Sequence, residues 1–132
     1  MAKTKQFTIP VDNQPGAVAR IARALGHSKV NILALMGTAQ GMTGTVELVA
    51  EDAKKAKKAK KALDEAGISY QETAAEQHEL PNKAGALAQY LASLEKKGVN
   101  LGSIHATAAK GGKKAVVVYT LEAARKAATA TA

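Results

Sequence analysis

The sequence predicts an α+β protein of two ferredoxin-like βαββαβ modules with antiparallel sheets, of which the second lacks a clear last strand. The first observation is an internal repeat, because residues 13–18 (NQPGAV) return as residues 82–87 (NKAGAL). Residues 30–32 (VNI) return as 99–101 (VNL), and the offset is the same, since 82 − 13 and 99 − 30 are both 69. Two matches in one register indicate a duplicated module. The second observation is that strand-like and helix-like patterns follow in the order β-α-β-β-α-β.

The first strand and the first helix are predicted from periodicity. Apolar residues alternate with polar or small ones over residues 7–11, as in a half-buried strand. A helix follows, with Asp12 or Asn13 as its candidate cap and Pro15 near its first position. Helical spacing of apolar residues then continues to Gly26, which is a natural stop.

The remaining elements of the first copy are two strands, a helix and a last strand. Residues 30–36 are rich in apolar side chains, and residues 45–49 alternate after a glycine-containing turn, so both segments predict strands. The lysine- and alanine-rich segment 54–61 is a strong helix former, and Gly67 is its C-terminal stop. Residues 68–73 predict the fourth strand.

The second copy repeats these elements with changes. Its strands are predicted at residues 76–80, 99–105 and 115–121. Its helix carries Leu87, Leu91 and Leu94. Glu51 matches Glu122 at an offset of 71 (122 − 51), so the second hairpin has gained two residues. Residues 121–126 begin a helix, and the alanine-rich tail 127–132 has no apolar face and is expected to fray. Either that tail frays, or the sheet edge is completed by another element or another chain.

Length and composition limit the class of protein. The 132 residues divide into modules at 1–72 and 73–132, each close to the smallest size that holds its own core. Hydrophobic residues make up 46% of the chain, but only one Phe and three Tyr are aromatic, so the core is aliphatic. We therefore expect the two modules to pack tightly and the chain to form a homodimer.

Several protein classes are excluded by what the sequence lacks. Without cysteine there are no disulfides, thiolate zinc sites or thiol nucleophiles. The first residues lead into no apolar signal segment, and no apolar run approaches the ~20 residues of a membrane span. A cytoplasmic protein without a membrane association is expected.

The net charge of +8 is concentrated in one segment. Six of the 19 basic residues are Lys54, Lys55, Lys57, Lys58, Lys60 and Lys61. They form either the solvated outer face of a helix or an attachment face for nucleic acid or an acidic membrane. No arginine and no base-stacking aromatic accompanies them, which argues against nucleic acid as a partner.

The repeated motifs resemble a known family. An extended strand, Asn-x-Pro-Gly opening a helix at 13–16, and Val-Asn-Ile beginning the next strand at 30–32 resemble the ACT domain. Residues 80–87 followed by 98–101 resemble the second copy of a tandem ACT protein of the small stand-alone type. The resemblance covers nearly the whole chain. It implies a non-enzymatic, allosteric regulatory protein that binds an amino acid between paired modules and acts on a partner enzyme or transporter, without a cofactor.

The chemistry of the repeated loop agrees with that implication. A helix start offers free N–H groups and partial positive charge to a carboxylate, and a glycine lets the backbone approach the ligand. An asparagine offers both donor and acceptor, so Asn13 with Asn31, and Asn82 with Asn100, are expected to hold carboxylate and ammonium. By the resemblance, the ligand-binding residues are Asn13, Gln14, Gly16, Ala17, Val18, Asn31, Ile32, Asn82, Lys83, Gly85, Ala86, Leu87, Asn100 and Leu101.

Each of these candidates also has a purely structural interpretation. Asn13 and Asn82 can cap helices, and Asn31 and Asn100 can close turns before strands. The loop glycines can serve close packing of helix against sheet.

The two copies also differ within the motif. Asp12 and Pro15 of the first copy become Pro81 and Ala84 in the second. The two sites can therefore differ in affinity or in ligand, and one of them can be purely structural.

No catalytic constellation is visible, and three other functions compete with amino-acid binding. There is no nucleophile elbow, and the turn at 111–113 is not a phosphate loop. His27, His78 and His105 are too scattered for a metal site. The alternatives are a structural assembly module without ligand, a nucleic-acid-binding ferredoxin-like protein and, least favoured, a small-molecule enzyme. The aliphatic central strands argue against nucleic acid, because such a sheet needs stacking aromatics.

Overall fold

A computed structural model describes residues 2–123 of the chain. Its elements are β1 (Ala2–Asp12), α1 (Ala17–His27), β2 (Ile32–Gln40), β3 (Thr43–Ala50), α2 (Ala53–Glu65), β4 (Gln71–Pro81), α3 (Ala86–Lys96), β5 (Leu101–Ala108) and β6 (Lys114–Leu121). The described part of the chain thus has six strands and three helices in the pattern of two βαββαβ modules. The predicted α+β class is confirmed.

All six strands form one antiparallel sheet in the order β2-β3-β1-β4-β6-β5. The prediction of two separate strands at 68–73 and 76–80 is wrong, because residues 71–73 and 76–80 belong to one continuous strand, β4, and residues 68–70 precede it. The residues between them, Ala74 and Ala75, stay extended by pairing with β1. β4 therefore crosses the boundary between 1–72 and 73–132, and that division stays a prediction.

β1 completes the second module at the position of its missing last strand. The first module has the order β2-β3-β1-β4, and the second has the matching order β5-β6-β4-β1. Lys5 pairs with Ala74, and 74 − 5 equals the repeat offset of 69, so a pseudo-twofold axis passes through this pair. Each module's first strand is the other's last. The described chain ends in helical conformation at Glu122 and Ala123, so the helix predicted at 121–126 and the tail 127–132 lie mostly outside it.

The three described helices cover one face of the sheet. Buried side chains of α1, α2 and the strands form the main core: Phe7, Ile9, Ile21, Leu25, Val30, Val46, Leu48, Ala50, Ala56, Ala59, Ala62, Leu63 and Ile68. On α3, Tyr90 stacks on His78 of β4 with ring centroids 4.5 Å apart. Glu72 pairs with the core residue Phe7, so the two side chains lie on the same face of the sheet. His78 is an even number of residues further along β4 and shares that face, so α3 packs on the same face as α1 and α2. No helix within residues 2–123 is long and apolar enough to cross a membrane.

The other face of the sheet curls onto itself. Glu47 of β3 and His105 of β5 are 3.4 Å apart between Oε2 and Nε2, although three strands lie between their strands. In a flat sheet, four strand spacings would separate them by about 19 Å. A second core cluster fills this interior: Val49, Ala75 and Val118, with Leu33 and Val116 packed against them.

Candidate functional site

The loop between β1 and α1 is held by the hairpin that joins β2 and β3. The Asn13 backbone N–H donates to the Met42 carbonyl at 2.9 Å, and Asn13 Nδ2 donates to the Gly41 carbonyl at 2.8 Å. The second copy repeats both bonds at the same lengths: Asn82 N–H to the Lys113 carbonyl and Asn82 Nδ2 to the Gly112 carbonyl. Each asparagine therefore fixes its loop, and its Oδ1 atom accepts no hydrogen bond from residues 2–123.

The helix caps differ from the sequence-based expectation. Gly16 and Gly85, at φ 89° and 85°, occupy the N-cap positions without any side-chain cap. The interpretation of Asn13 and Asn82 as caps is wrong, because their amides bind the hairpins instead. Pro15 lies before the cap, since the helix begins at Ala17. A Cβ at either glycine would meet no atom within 4 Å, so the positive φ and not close packing requires glycine.

The uncapped helix starts leave backbone donors available. Ala17 N–H donates to the Gln14 carbonyl at 3.3 Å, and Arg20 N–H donates to the Gly16 carbonyl at 2.9 Å. Between them, the N–H groups of Val18 and Ala19 have no acceptor in the described chain. In the second copy, the backbone N–H groups of Leu87 and Ala88 likewise have no acceptor in the described chain. Together with the helix dipole, two free N–H groups favour a carboxylate.

Each loop borders a cavity of the same size. The first, of about 220 Å³, is lined by Val11, Asp12, Asn13, Gln14, Ala17, Val18, Gly37, Thr38, Ala39, Gly44, Thr45 and Val46. The second, of about 210 Å³, is lined by Leu80, Pro81, Asn82, Lys83, Leu87, Ala106, Thr107, Ala108, Ala115, Val116 and Val117. We call these pocket 1 and pocket 2. Of the predicted site residues, Gly16, Gly85 and Ala86 lie beside the pockets without lining them.

A wider hollow of about 670 Å³ also borders the first loop, and residues 67–69, which follow α2, line it as well. It includes Arg20, whose guanidinium donates to the Ala66 carbonyl at 3.0 Å. The wall between this hollow and pocket 1 consists of the residues that line both, which are Val11, Asp12, Gln14, Ala17, Gly44 and Thr45.

The second pair of predicted asparagines lies at the opposite end of the sheet. Ile32, which follows Asn31, pairs with Ala50, whereas the loop of Asn13 lies beside Thr43 at the other end of β3. Seven residues of strand correspond to about 23 Å. The structure therefore does not bring Asn31 and Ile32 to pocket 1 within one chain.

The second copy has the same separation. Leu101, which follows Asn100, pairs with Leu121, whereas Pro81 pairs with Lys114 at the other end of β6. The Asn100 carbonyl accepts a hydrogen bond from the Glu122 N–H at 3.0 Å. Asn100 and Leu101 are thus as far from pocket 2 as their counterparts are from pocket 1.

The sequence-based list missed the walls that the hairpins contribute. Thr38 and Thr107 line the two pockets at the repeat offset (107 − 38 = 69), as do Gly37 and Ala106. The constant offset is the signal that could have found them. No group of three or more His, Asp and Glu side chains among residues 2–123 is placed to hold a metal ion.

Solved structures share this fold. A protein from Bacteroides thetaiotaomicron is 26% identical over 89% of this chain and 78% of its own, with a TM-score of 0.75. The regulatory subunit of aspartate kinase from Thermus thermophilus, in its ligand-free form, is 17% identical over 98% of this chain and 89% of its own, with a TM-score of 0.67. The corresponding subunit from Thermus flavus is 17% identical over 98% and 90%, with a TM-score of 0.63.

No protein-family model and no curated protein sequence matches the chain. The resemblance to ACT domains thus rests on the sequence motifs and on the fold of these neighbours. It is confirmed at that level: the chain is a small α+β protein of two ACT-like modules, the fold that it shares with the regulatory ACT-domain subunits of aspartate kinase.

Proposed function

We propose that this chain is a non-enzymatic regulatory protein that binds a free amino acid in pockets 1 and 2. The observation that carries the proposal is the duplication of one constellation: a fixed asparagine, two free N–H groups at a helix start and a cavity of 210–220 Å³. In this proposal the protein is a cytoplasmic homodimer that acts on a partner enzyme or transporter.

The constellation suits the two groups that every amino acid carries. The free N–H groups at Val18 and Ala19 can donate to the carboxylate, and the Oδ1 atom of Asn13 can accept from the ammonium. The remaining walls of pocket 1 are largely alanine, glycine, valine and threonine. Because drug-sized ligands need about 300 Å³ or more, a cavity of about 220 Å³ suits a small molecule.

Exposed apolar residues that repeat at the same offset support a second chain of this protein as the partner. Val18 and Leu87 are 40% and 38% exposed, and 87 − 18 is 69. Leu35 and Ile104, on the edge strands β2 and β5, are 40% and 39% exposed, and 104 − 35 is 69. Each pocket therefore has an exposed apolar side chain at its own helix start. A homodimer that covers these residues would also enclose the ligand.

Regulation in this proposal comes from a change in the arrangement of subunits. A ligand shifts such an equilibrium only by its different affinity for the two arrangements. A pocket at the rim of a dimer interface provides that difference, because the partner subunit closes it in one arrangement and not in the other. The neighbouring structures support a regulatory role insofar as two of them are named regulatory subunits.

The same apolar residues favour a second candidate, an assembly module without ligand. In that case the pockets would be packing imperfections, and the exposed Val18 and Leu35 would serve association alone. Nucleic-acid binding on the central strands has less support, because Val46 and Val49 of β3 are buried on opposite faces of the sheet.

A thermal-shift screen against the twenty amino acids tests the proposal. A ligand at 100 times its Kd stabilises the native state by about 2.7 kcal/mol. Asn13→Ala or Asn82→Ala should remove the shift. The matched controls Asn31→Ala and Asn100→Ala should keep it, because these exposed asparagines lie at the far end of the sheet. No shift with any amino acid, in a chain that still forms dimers, would favour the assembly module.

A further inference from the structure

We propose that pocket 2 selects amino acids with an anionic side chain and that pocket 1 does not, an inference that rests on the function proposed above. The carboxylate and ammonium common to all amino acids meet the same helix start and the same asparagine in both pockets. Discrimination between side chains must therefore come from the residues in which the two pockets differ.

Two of these residues are in the loop that carries the asparagine. Asp12 and Gln14 line pocket 1, and Pro81 and Lys83 line pocket 2 at the repeat offset (81 − 12 and 83 − 14 are both 69). The first exchange removes a carboxylate and the second adds an ammonium. Each exchange makes the wall of pocket 2 more positive by one charge.

Two further exchanges lie on the hairpin. The strand registers show that Lys113 and Lys114 take the places of Met42 and Thr43, at the offset of 71 set by the longer second hairpin. The Lys113 carbonyl accepts the Asn82 N–H at 2.9 Å, so this lysine is joined directly to the loop of pocket 2. Lys83 thus lines pocket 2, and Lys113 and Lys114 lie on the hairpin beside its loop, whereas pocket 1 is lined by a single carboxylate.

Only one of the three lysines is neutralised within residues 2–123. Lys114 Nζ lies 3.1 Å from Glu79 Oε2, and both side chains are exposed. Lys83 and Lys113 form no ion pair in that part of the chain, and neither does Asp12 of pocket 1. One uncompensated positive charge, Lys83, therefore lines pocket 2, and a second, Lys113, lies beside its loop, whereas the uncompensated carboxylate of Asp12 lines pocket 1.

These charges are exposed, so water and salt weaken their action on a ligand. One exposed ion pair changes affinity between about 1.4-fold and 5-fold. Two lysines then favour a dicarboxylic amino acid over its neutral amide by roughly 2-fold to 25-fold at low ionic strength. Asp12 has the opposite effect in pocket 1.

The test compares side chains of equal size and different charge. Full-length ¹⁵N-labelled protein is titrated with aspartate and asparagine, and with glutamate and glutamine, while amide signals of Val18 and Leu87 report on pockets 1 and 2 separately. We expect Leu87 to respond at lower concentrations of the acid than of the amide. Val18 should show no preference or the reverse, and high salt should reduce the difference.

Exchanging the loop residues between the pockets sharpens the test. Lys83→Gln should reduce the preference of pocket 2 by about the 1.4-fold to 5-fold of one lysine, and the double change Asp12→Asn with Gln14→Lys should create a preference in pocket 1. Lys96→Gln is the matched control, because it removes the same charge from an exposed residue at the far end of α3.

Each result supports or overturns the inference. Equal affinity of pocket 2 for acid and amide would overturn the charge selectivity and leave the proposed function standing. A loss of preference in the Lys96→Gln control would also overturn it, because net charge and not the rim would then be the cause. A response of neither pocket to any amino acid would overturn both the selectivity and the proposed function.

Discussion

The curled interior is lined by two sets of residues that the repeat relates and that differ in chemistry, here called its apolar half and its polar half. The two sets are neighbours across strands, since Gln6 pairs with Val49 and His105 with Val118. Val49, Ala75 and Val118 form the apolar cluster in one half, buried to 0–2% exposure. The pseudo-twofold axis relates Val49 to Thr120 and Val118 to Glu47, each at the offset of 71 (120 − 49 and 118 − 47). It relates Ala75 to Gln6 at the offset of 69 (75 − 6). Each member of the apolar trio thus has a polar counterpart.

The polar half holds together by hydrogen bonds and one contact between a carboxylate and an imidazole. Ser103 Oγ lies 2.8 Å from Thr120 Oγ1 and donates to Gln6 Oε1 at 3.2 Å. Beside them, Glu47 and His105 meet at 3.4 Å with side chains 17% and 11% exposed. Both ring nitrogens of His105 are buried without a hydrogen bond in the described chain.

This difference shows how a duplicated module can divide its tasks. Burial of the apolar half contributes to stability in proportion to the area removed from water. The polar half gains little net stability, since desolvation offsets its contacts. Its contacts join β1 and β3 of one module to β5 and β6 of the other, so they favour a single arrangement of the two modules.

The largest expected effect comes from making the apolar half resemble the polar half. Val118→Glu places at the position of a 1% exposed valine the side chain that its counterpart carries, directly beside His105, which already contacts the carboxylate of Glu47. Met36 stands at the position equivalent to His105 (105 − 36 = 69). We expect a loss of about 3 kcal/mol or more in urea unfolding, or no folded protein. Gln40→Glu, at an exposed end of β2, should change the midpoint little.

The reverse exchange should cost stability when it is made at one residue and little or none when it is made at both. His105→Met alone leaves the half-buried carboxylate of Glu47 without its neighbouring imidazole, and we expect a loss of about 2–3 kcal/mol. The double change Glu47→Val with His105→Met copies the apolar half and should recover that loss or exceed the wild-type stability. A double-mutant cycle by urea unfolding measures the coupling. Additive effects of the two single changes would show that the pair does not act as a unit.

The sequence predicted what is local and missed what depends on distant contacts. Order and type of the elements follow from periodicity, and the repeated loop identified the pockets through residues 13–18 and 82–87. The fusion into β4 was missed, because Ala74 and Ala75 are extended only through pairing with β1. The cap role of Asn13 was wrong because its amide binds Gly41, 28 residues away.

The residues that line the two candidate pockets were predicted only in part, again because some of them depend on distant contacts. The position of a residue along a strand is not visible from its motif, so Asn31 was grouped with Asn13 although the two lie at opposite ends of the sheet. The curl that brings Glu47 to His105 depends on the packing of whole strands. No local pattern encodes it.

A smaller effect should come from one hydroxyl of the polar half. Thr120→Val gives this position the residue of its counterpart, Val49, and removes the partner of Ser103 Oγ at 2.8 Å. We expect a loss of about 1 kcal/mol in the free energy of unfolding, because Ser103 keeps its bond to Gln6. Combining it with Ser103→Ala, the residue at the equivalent position 34, should restore most of the loss. A larger loss in the double variant would contradict the comparison.

Alkaline pH should weaken both modules through one tyrosine each. Burial raises the pKa of Tyr90 to about 12, and a hydrogen bond with Tyr119 adds to the effect. Burial and the hydrogen bond to Asp64 at 2.7 Å also raise the pKa of Tyr70. An unfolded tyrosine loses its proton near pH 10. The unfolded state is therefore deprotonated first, and stability falls as pH rises from about 10 towards 12.

Single substitutions separate the two contributions. Tyr90→Phe and Tyr70→Phe should each make the urea midpoint less sensitive to pH between about pH 10 and about pH 12. Unchanged sensitivity in both variants would assign the alkaline loss to other groups, such as the lysines.

The smallest effect is expected on the exposed face of α2, where the two modules differ in surface charge. Lys54, Lys57, Lys58 and Lys61 are all exposed and follow the spacing i, i+3, i+4, i+7, so they form one outward row of like charges. Lys57→Glu would replace the repulsion from Lys61 with an i, i+4 attraction in the favourable orientation, worth about 0.3–0.5 kcal/mol at low salt. The gain should disappear at high salt. The matched control in the second module is Ala92→Glu, which lies on the exposed face of α3 four residues before Lys96. A loss of stability on Lys57→Glu would mean that the lysine row contributes to the fold, and the row would then no longer be a solvated surface.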